Sequence, residues 1–126
     1  MAYRSDDQLK QNNVIFLQHG FTGSGDDFFV NGESGSLGFY LVQKGFEVWI
    51  GNSRGNKYSH SSSAQKISNS EFFDYSFQDM ALFDIPAVYA FIISKIEKWQ
   101  KIVYIGHSQG TQQFFAALAD PLTSEF

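Results

Sequence analysis

The segment 102–119, IVYIGHSQGTQQFFAALA, decides the fold. Its first four residues, Ile102 to Ile105, are a short apolar run rich in β-branched side chains, which predicts a strand. Glycines at 106 and 110 flank Ser108, and from there Phe114, Phe115 and Leu118 recur at helical spacing until Asp120-Pro121 closes the run. Strand, tight turn and helix thus follow with no spacer. Working outward, Val14 to Leu17 is a second strand, buried on both faces, that stops at His19-Gly20, and Phe46 to Ile50 is a third that stops at Gly51-Asn52. Between these two lie a glycine-rich segment, with Gly20, Gly23, Gly25, Gly32 and Gly35, read as a loop, and a short helix over Leu37–Val42 with Ser36 as its start and Gly45 as its stop. Residues 52–69 are polar and read as a long loop. Apolar periodicity from Phe72 to Ile96 is interrupted by Pro86, which predicts two helical pieces with Asp84 as N-cap of the second. Strands alternating with helices imply an α/β architecture, a three-stranded parallel sheet core flanked by helices and joined by right-handed crossovers.

The composition narrows the class. The 126 residues are 43% hydrophobic and 17% aromatic with no cysteine, too apolar for a disordered chain and without the thiols of a disulfide scaffold. Nine basic against thirteen acidic residues give a net charge of -4. No basic cluster offers a nucleic-acid or anionic-membrane footprint. The polar start MAYRSDDQLK has no apolar signal core, and no run approaches the ~18 apolar residues of a membrane span, so a soluble chain is expected.

The pattern G-x-S-x-G occurs twice, at Gly51-Asn-Ser53-Arg-Gly55 and at Gly106-His-Ser108-Gln-Gly110. A nucleophilic serine at such a motif needs a strand before it, a strained turn under it and a helix directly after it, with small residues two places away on each side. Ser53 follows a strand but leads into NKYSHSSS, which is no helix. Ser108 satisfies every condition and is the candidate catalytic nucleophile. Acyl transfer also needs two convergent N–H donors for the developing oxyanion, one from the residue after the nucleophile and one from the loop after a neighbouring strand. Gln109 and Phe21 occupy those places, and their backbone N–H groups would act. A phosphate cradle over Gly20–Gly25 is disfavoured, because it lacks the lysine and Ser/Thr of a P-loop and carries Asp26-Asp27.

Taken together, LQHGFTGSGDDFF, GFEVWIGNSRGNKYS, EFFDYSFQDMALFDIPAVYAFI and YIGHSQGTQQFFAAL resemble the gastric and lysosomal acid lipase group of the α/β-hydrolase superfamily, from about Val14 to Leu118. The resemblance implies a partial α/β-hydrolase fold over residues 1–126, the nucleophile-bearing half, with the C-terminal strands and cap absent and the strands in the order second, first, third. It implies Ser108 as nucleophile, Phe21 and Gln109 as oxyanion-hole residues, and a structural GNSRG loop in which Arg54 braces. It further implies a lipid ester substrate (triacylglycerol or sterol ester), transient contact of the full-length protein with a lipid interface, a secreted or lysosomal location, and no metal or organic cofactor.

The triad is incomplete on this reading. In this fold the acid and then the histidine follow the serine, yet downstream of Ser108 stand Asp120 and Glu125 and no histidine. Upstream, His107 adjoins the serine and points away, His19 packs or hydrogen-bonds behind the oxyanion loop, and His60 is a solvated loop residue. Asp79 and Asp84 read as helix-start or surface residues and Asp26-Asp27 as a solvated turn. Phe28, Phe29, Phe72, Phe73 and Phe77 fit the core better than an acyl groove. Two other readings stay open: another esterase or thioesterase on the same fold, and a non-catalytic remnant or binding module. Two apolar edge strands are expected, and with them self-association.

Overall fold

The computed structural model describes residues 2–3, 13–60, 68–97 and 100–123. Four strands, β1 (Ala2–Tyr3), β2 (Asn13–Gln18), β3 (Glu47–Gly51) and β4 (Lys101–Gly106), form one sheet in the order β1-β3-β2-β4. The three longer strands are parallel, with Phe16 opposite Trp49 on one side and Tyr104 on the other. This is the α/β class and strand order expected. β1 was not expected; it pairs antiparallel with β3, Ala2 opposite Trp49 and Tyr3 opposite Val48, so one of the two anticipated open edges is covered.

β2 is central because its side chains are apolar on both faces. Ile15 and Leu17 meet Phe28, Leu41 and Val48 under helix α2 (Leu37–Gln43), while Val14 and Phe16 meet Ile92 on the opposite face. Each such fully buried side chain contributes about 1.5–3 kcal/mol relative to exposure. That opposite face is covered by α5 (Ile85–Ile93) and α6 (Gln109–Ala119), where Ile85, Ala81 and Ala117 pack with Tyr104 and Phe114.

Three local readings need correction. The glycine-rich segment contains a 3-10 turn at Gly25–Phe28 and the short helix α1 (Gly32–Gly35). The polar stretch is described as turns to His60, after which residues 61–67 lie outside the described residues and Ser68 caps α3 (Asn69–Phe72). Finally, Asp84 is not an N-cap. Helix α4 (Phe77–Asp79) begins at Ser76, whose hydroxyl accepts the Gln78 N–H, and it continues through a π-helical turn at Met80–Asp84 directly into α5. Pro86 has no N–H for the usual bond, and the π turn, in which Ile85 N–H reaches back to Met80, lets the helix run past it. Asp84 keeps helical angles and is free to pair elsewhere.

Candidate active site

β4 delivers the chain to Ser108 at the carboxyl edge of the sheet. His107 N–H donates to the Gln18 carbonyl at 2.9 Å, which extends the β2–β4 pairing one residue beyond the strand. Ser108 then takes φ 51° and ψ -119°, a conformation that costs a non-glycine residue about 1–3 kcal/mol. The surroundings enforce it. Thr111 Oγ1 donates to Gly106 O at 2.8 Å, Thr111 N–H to Ser108 O at 2.9 Å, and Tyr104 Oη to Gly110 O at 2.6 Å. Tyr104 is itself held between Phe114, stacked at 4.0 Å, and the edge of Phe16 at 5.2 Å. Burial pushes its phenol well above the ordinary tyrosine value, so it remains an O–H donor. Gly110 lets α6 approach β2, since a methyl there would sit 2.6 Å from Gln18 O and 2.7 Å from His19 O.

Opposite the serine runs the turn Gly20–Gly23, closed by Gly23 N–H to Gly20 O at 3.2 Å. Thr22 is the only other described non-glycine residue at positive φ, 59°. With Phe21 at negative φ, this is the pattern of a type II turn. The turn lies against the elbow: a methyl on Gly20 would be 3.0 Å from Ser108 Cβ. Phe21 and Gln109 therefore come together as expected, and both line a cavity of about 800 Å³ whose walls include Thr22, Arg54, Phe73, Tyr75, Phe77 and Met80. Among the described residues neither the Phe21 nor the Gln109 N–H is engaged by the chain. Gln109 is the first residue of α6, so its N–H also sits at the positive end of the helix. Ser108 is exposed and does not line the cavity, whose wall begins at its neighbour Gln109. Of the phenylalanines, Phe28 is core while Phe73 and Phe77 are half-exposed on the cavity wall.

The three histidines have different surroundings. His19 is buried and hydrogen-bonded on both ring nitrogens, His60 rests on the rings of Phe72 and Phe73, and His107 lies beside Gly20. Among the described residues no histidine hydrogen-bonds the Ser108 hydroxyl. Ser53 is buried, its hydroxyl accepting from Gln18 Nε2 at 2.9 Å. Arg54 forms an ion pair with Asp84, Nε reaching the two carboxylate oxygens at 3.0 and 2.9 Å, and this pairing raises its already high pKa. Tyr75 Oη donates to Arg54 O at 2.9 Å, so the loop after β3 is tied to the π turn through Asp84 and to the segment before α4 through Tyr75. Asp26 is not simply solvated: Lys57 and Tyr58 both reach it across the cavity rim and hold its carboxyl below the ordinary value. These braces join residues about thirty positions apart. No local pattern in the sequence signals them.

A parallel sheet whose strands deliver a strained serine, a helix N-terminus and a facing turn to one edge is the hallmark of one class. The alpha/beta hydrolase fold family model matches residues 13–124, and the chain belongs to that family. Within the family its sequence is acid-lipase-like. It is 44% identical over 106 residues to lipase member M of Homo sapiens, covering 84% of this chain and 25% of the relative. Against lysosomal acid lipase/cholesteryl ester hydrolase of Homo sapiens the identity is 42%, covering 84% and 26% of the two chains, and against gastric triacylglycerol lipase of Rattus norvegicus 38%, covering 91% and 29%. The chain thus spans about a quarter of the length of these relatives.

Proposed function

We propose that this chain carries the nucleophile and oxyanion donors of a lipid ester hydrolase. Ser108 Oγ attacks the ester carbonyl carbon, the carbonyl electron pair moves onto oxygen, and the Phe21 and Gln109 N–H groups receive the negative charge. Collapse of this intermediate breaks the bond to the alcohol, which leaves with a proton, and water then releases the fatty acid from Ser108. A histidine must take the serine proton and pass it to the alcohol, oriented by a carboxylate. His19 and His60 are held by other partners, and among the described residues no histidine, the neighbouring His107 included, hydrogen-bonds the Ser108 hydroxyl, so we assign base and acid to polypeptide outside these residues. The observation that carries the reading is the strained Ser108 at the strand-to-helix turn with two unengaged N–H groups beside it. Triacylglycerols or sterol esters as substrates rest on the names of the relatives, as does a lysosomal or secreted setting; transient contact at a lipid interface is proposed because such substrates are water-insoluble.

The test uses a fluorophosphonate probe on the protein expressed from its complete reading frame. Labelling should be abolished by Ser108→Ala and retained in Ser53→Ala, with a matching loss of triacylglycerol hydrolysis. Residues 1–126 alone should label poorly, because a serine without a base is a weak nucleophile. Labelling of the complete protein that survives Ser108→Ala would overturn the assignment.

A further inference from the structure

The Phe21 N–H cannot turn by itself. It shares a planar trans peptide with the Gly20 carbonyl, so whatever holds that oxygen aims the N–H the opposite way. Two donors hold it: the Gly23 N–H at 3.2 Å and the ring of His19, whose Nδ1 lies 2.7 Å away. A carbonyl oxygen only accepts, so Nδ1 carries the ring proton. The far side of the ring agrees. Nε2 receives the Ser53 N–H at 3.0 Å and the Asn56 side-chain amide at 3.1 Å. The orientation of Asn56 is fixed independently, because its Oδ1 accepts the Tyr58 and Ser59 N–H groups at 2.9 and 3.0 Å, leaving Nδ2 to donate. Its Nδ2 also donates to Asn52 Oδ1 at 2.8 Å, and that oxygen takes the Gly25 N–H at 3.0 Å as well. His19 is 3% exposed and Ser53 8%, and among the described residues no buried side-chain polar atom lacks a partner.

The geometry points to His19 as a positioning residue. Held as its Nδ1–H tautomer by Ser53 and Asn56, it fixes the Gly20 carbonyl and so the direction of the Phe21 N–H. The G-x-S-x-G motif at Gly51–Gly55 thereby has a use: its Ser53 N–H grips the ring that aims the oxyanion donor. Buried polar networks of this kind do their work through direction, because a donor that points away from the oxyanion stabilises little of the developing charge. This inference rests on the reading of Phe21 as an oxyanion donor, and the variants below separate the two.

In the complete protein, hydrolysis of a p-nitrophenyl acyl ester is followed for three variants, and the ring nitrogens of His19 are observed by NMR in the unaltered protein. Phe21→Pro deletes the N–H itself and should lower kcat about a hundredfold. His19→Leu leaves the N–H but removes the shorter of the two bonds that hold its carbonyl, and should lower kcat about tenfold or more with KM within about twofold. His19→Asn, whose amide can take the place of Nδ1–H, should recover most of that loss. If Phe21→Pro retains kcat, the oxyanion reading fails. A loss in Phe21→Pro beside wild-type kcat in His19→Leu overturns the positioning role alone. Should His19→Leu not fold, the role still falls if NMR finds the proton on Nε2, or if His19→Asn is as slow as Phe21→Pro.

Discussion

At the residue scale the tightest constraint set by backbone atoms belongs to Gly110, where the first turn of α6 crosses the carboxyl end of β2. Replacing it by alanine gains about 1 kcal/mol of intrinsic helix preference. The added methyl, however, would lie 2.6 and 2.7 Å from two backbone carbonyl oxygens that are themselves set by the sheet. Neither can yield as a flexible side chain would, and overpacking of this kind costs about 1–3 kcal/mol. Steric cost wins. Gly110→Ala should lower stability by up to about 2 kcal/mol net, seen as a lower midpoint in urea denaturation with an unchanged slope; an unchanged midpoint would mean that the helix can slide away from β2. The placement of Ser108, Phe21 and Gln109 was legible in the sequence because each sits two or three residues after a strand end, where local chemistry dictates the backbone. His19 and Arg54 were legible only as structural residues. Their partners, Ser53, Asn56 and Asp84, come from distant segments, and hydrogen bonds across such separations leave no periodic trace.

At the element scale the three parallel strands were readable because each is a short apolar run that ends at or just before a glycine, although only β2 is buried on both faces. The helix after Ser76 was misread for a physical reason: Asp84 two places before Pro86 imitates a helix start, whereas the π turn absorbs the proline within one continuous helix. The true start is the Ser76 box. There Asp79 accepts the Ser76 N–H at 2.7 Å and its hydroxyl at 2.9 Å, and these bonds hold the Asp79 carboxyl below the ordinary value of 3.8. A carboxyl depressed in the folded state stabilises it fully above its unfolded value, and that contribution is lost as pH falls through the lower, folded value. The cap of α4 should therefore open only in acid, below the range in which a free aspartate titrates. An NMR titration of the Asp79 carboxyl should give a midpoint below 3.8, with Ser76 amide exchange accelerating over the same interval; a midpoint at or above the ordinary value would exclude the cap. The expectation matters for an acid-lipase-like chain, since its helix start keeps its cap through mildly acidic conditions.

At the scale of the whole molecule, the two sides of the sheet are finished differently. β1 covers β3, whereas the far edge of β4 has no strand partner among the described residues. Val103 lies opposite Ile15 in register yet is 44% exposed, and Phe115 and Leu118 on α6 are exposed as well. An unpaired edge with apolar side chains beside it is a template for another strand. Because the other edge is the two-residue β1, too short to template a full strand, association of residues 1–126 should begin with pairs of chains meeting at β4 rather than with growth from both sides. Light scattering at micromolar concentration should find species heavier than the monomer. Val103→Lys, which places a charge where a second strand would dock, should shift them toward monomer without a large loss of folded stability, since Val103 is already half in solvent. A charge placed on α1, for example Ser34→Lys, is remote from that edge and should leave the distribution unchanged. A monodisperse monomer of the unaltered chain, or equal effects of the two substitutions, would show that the β4 edge does not drive association.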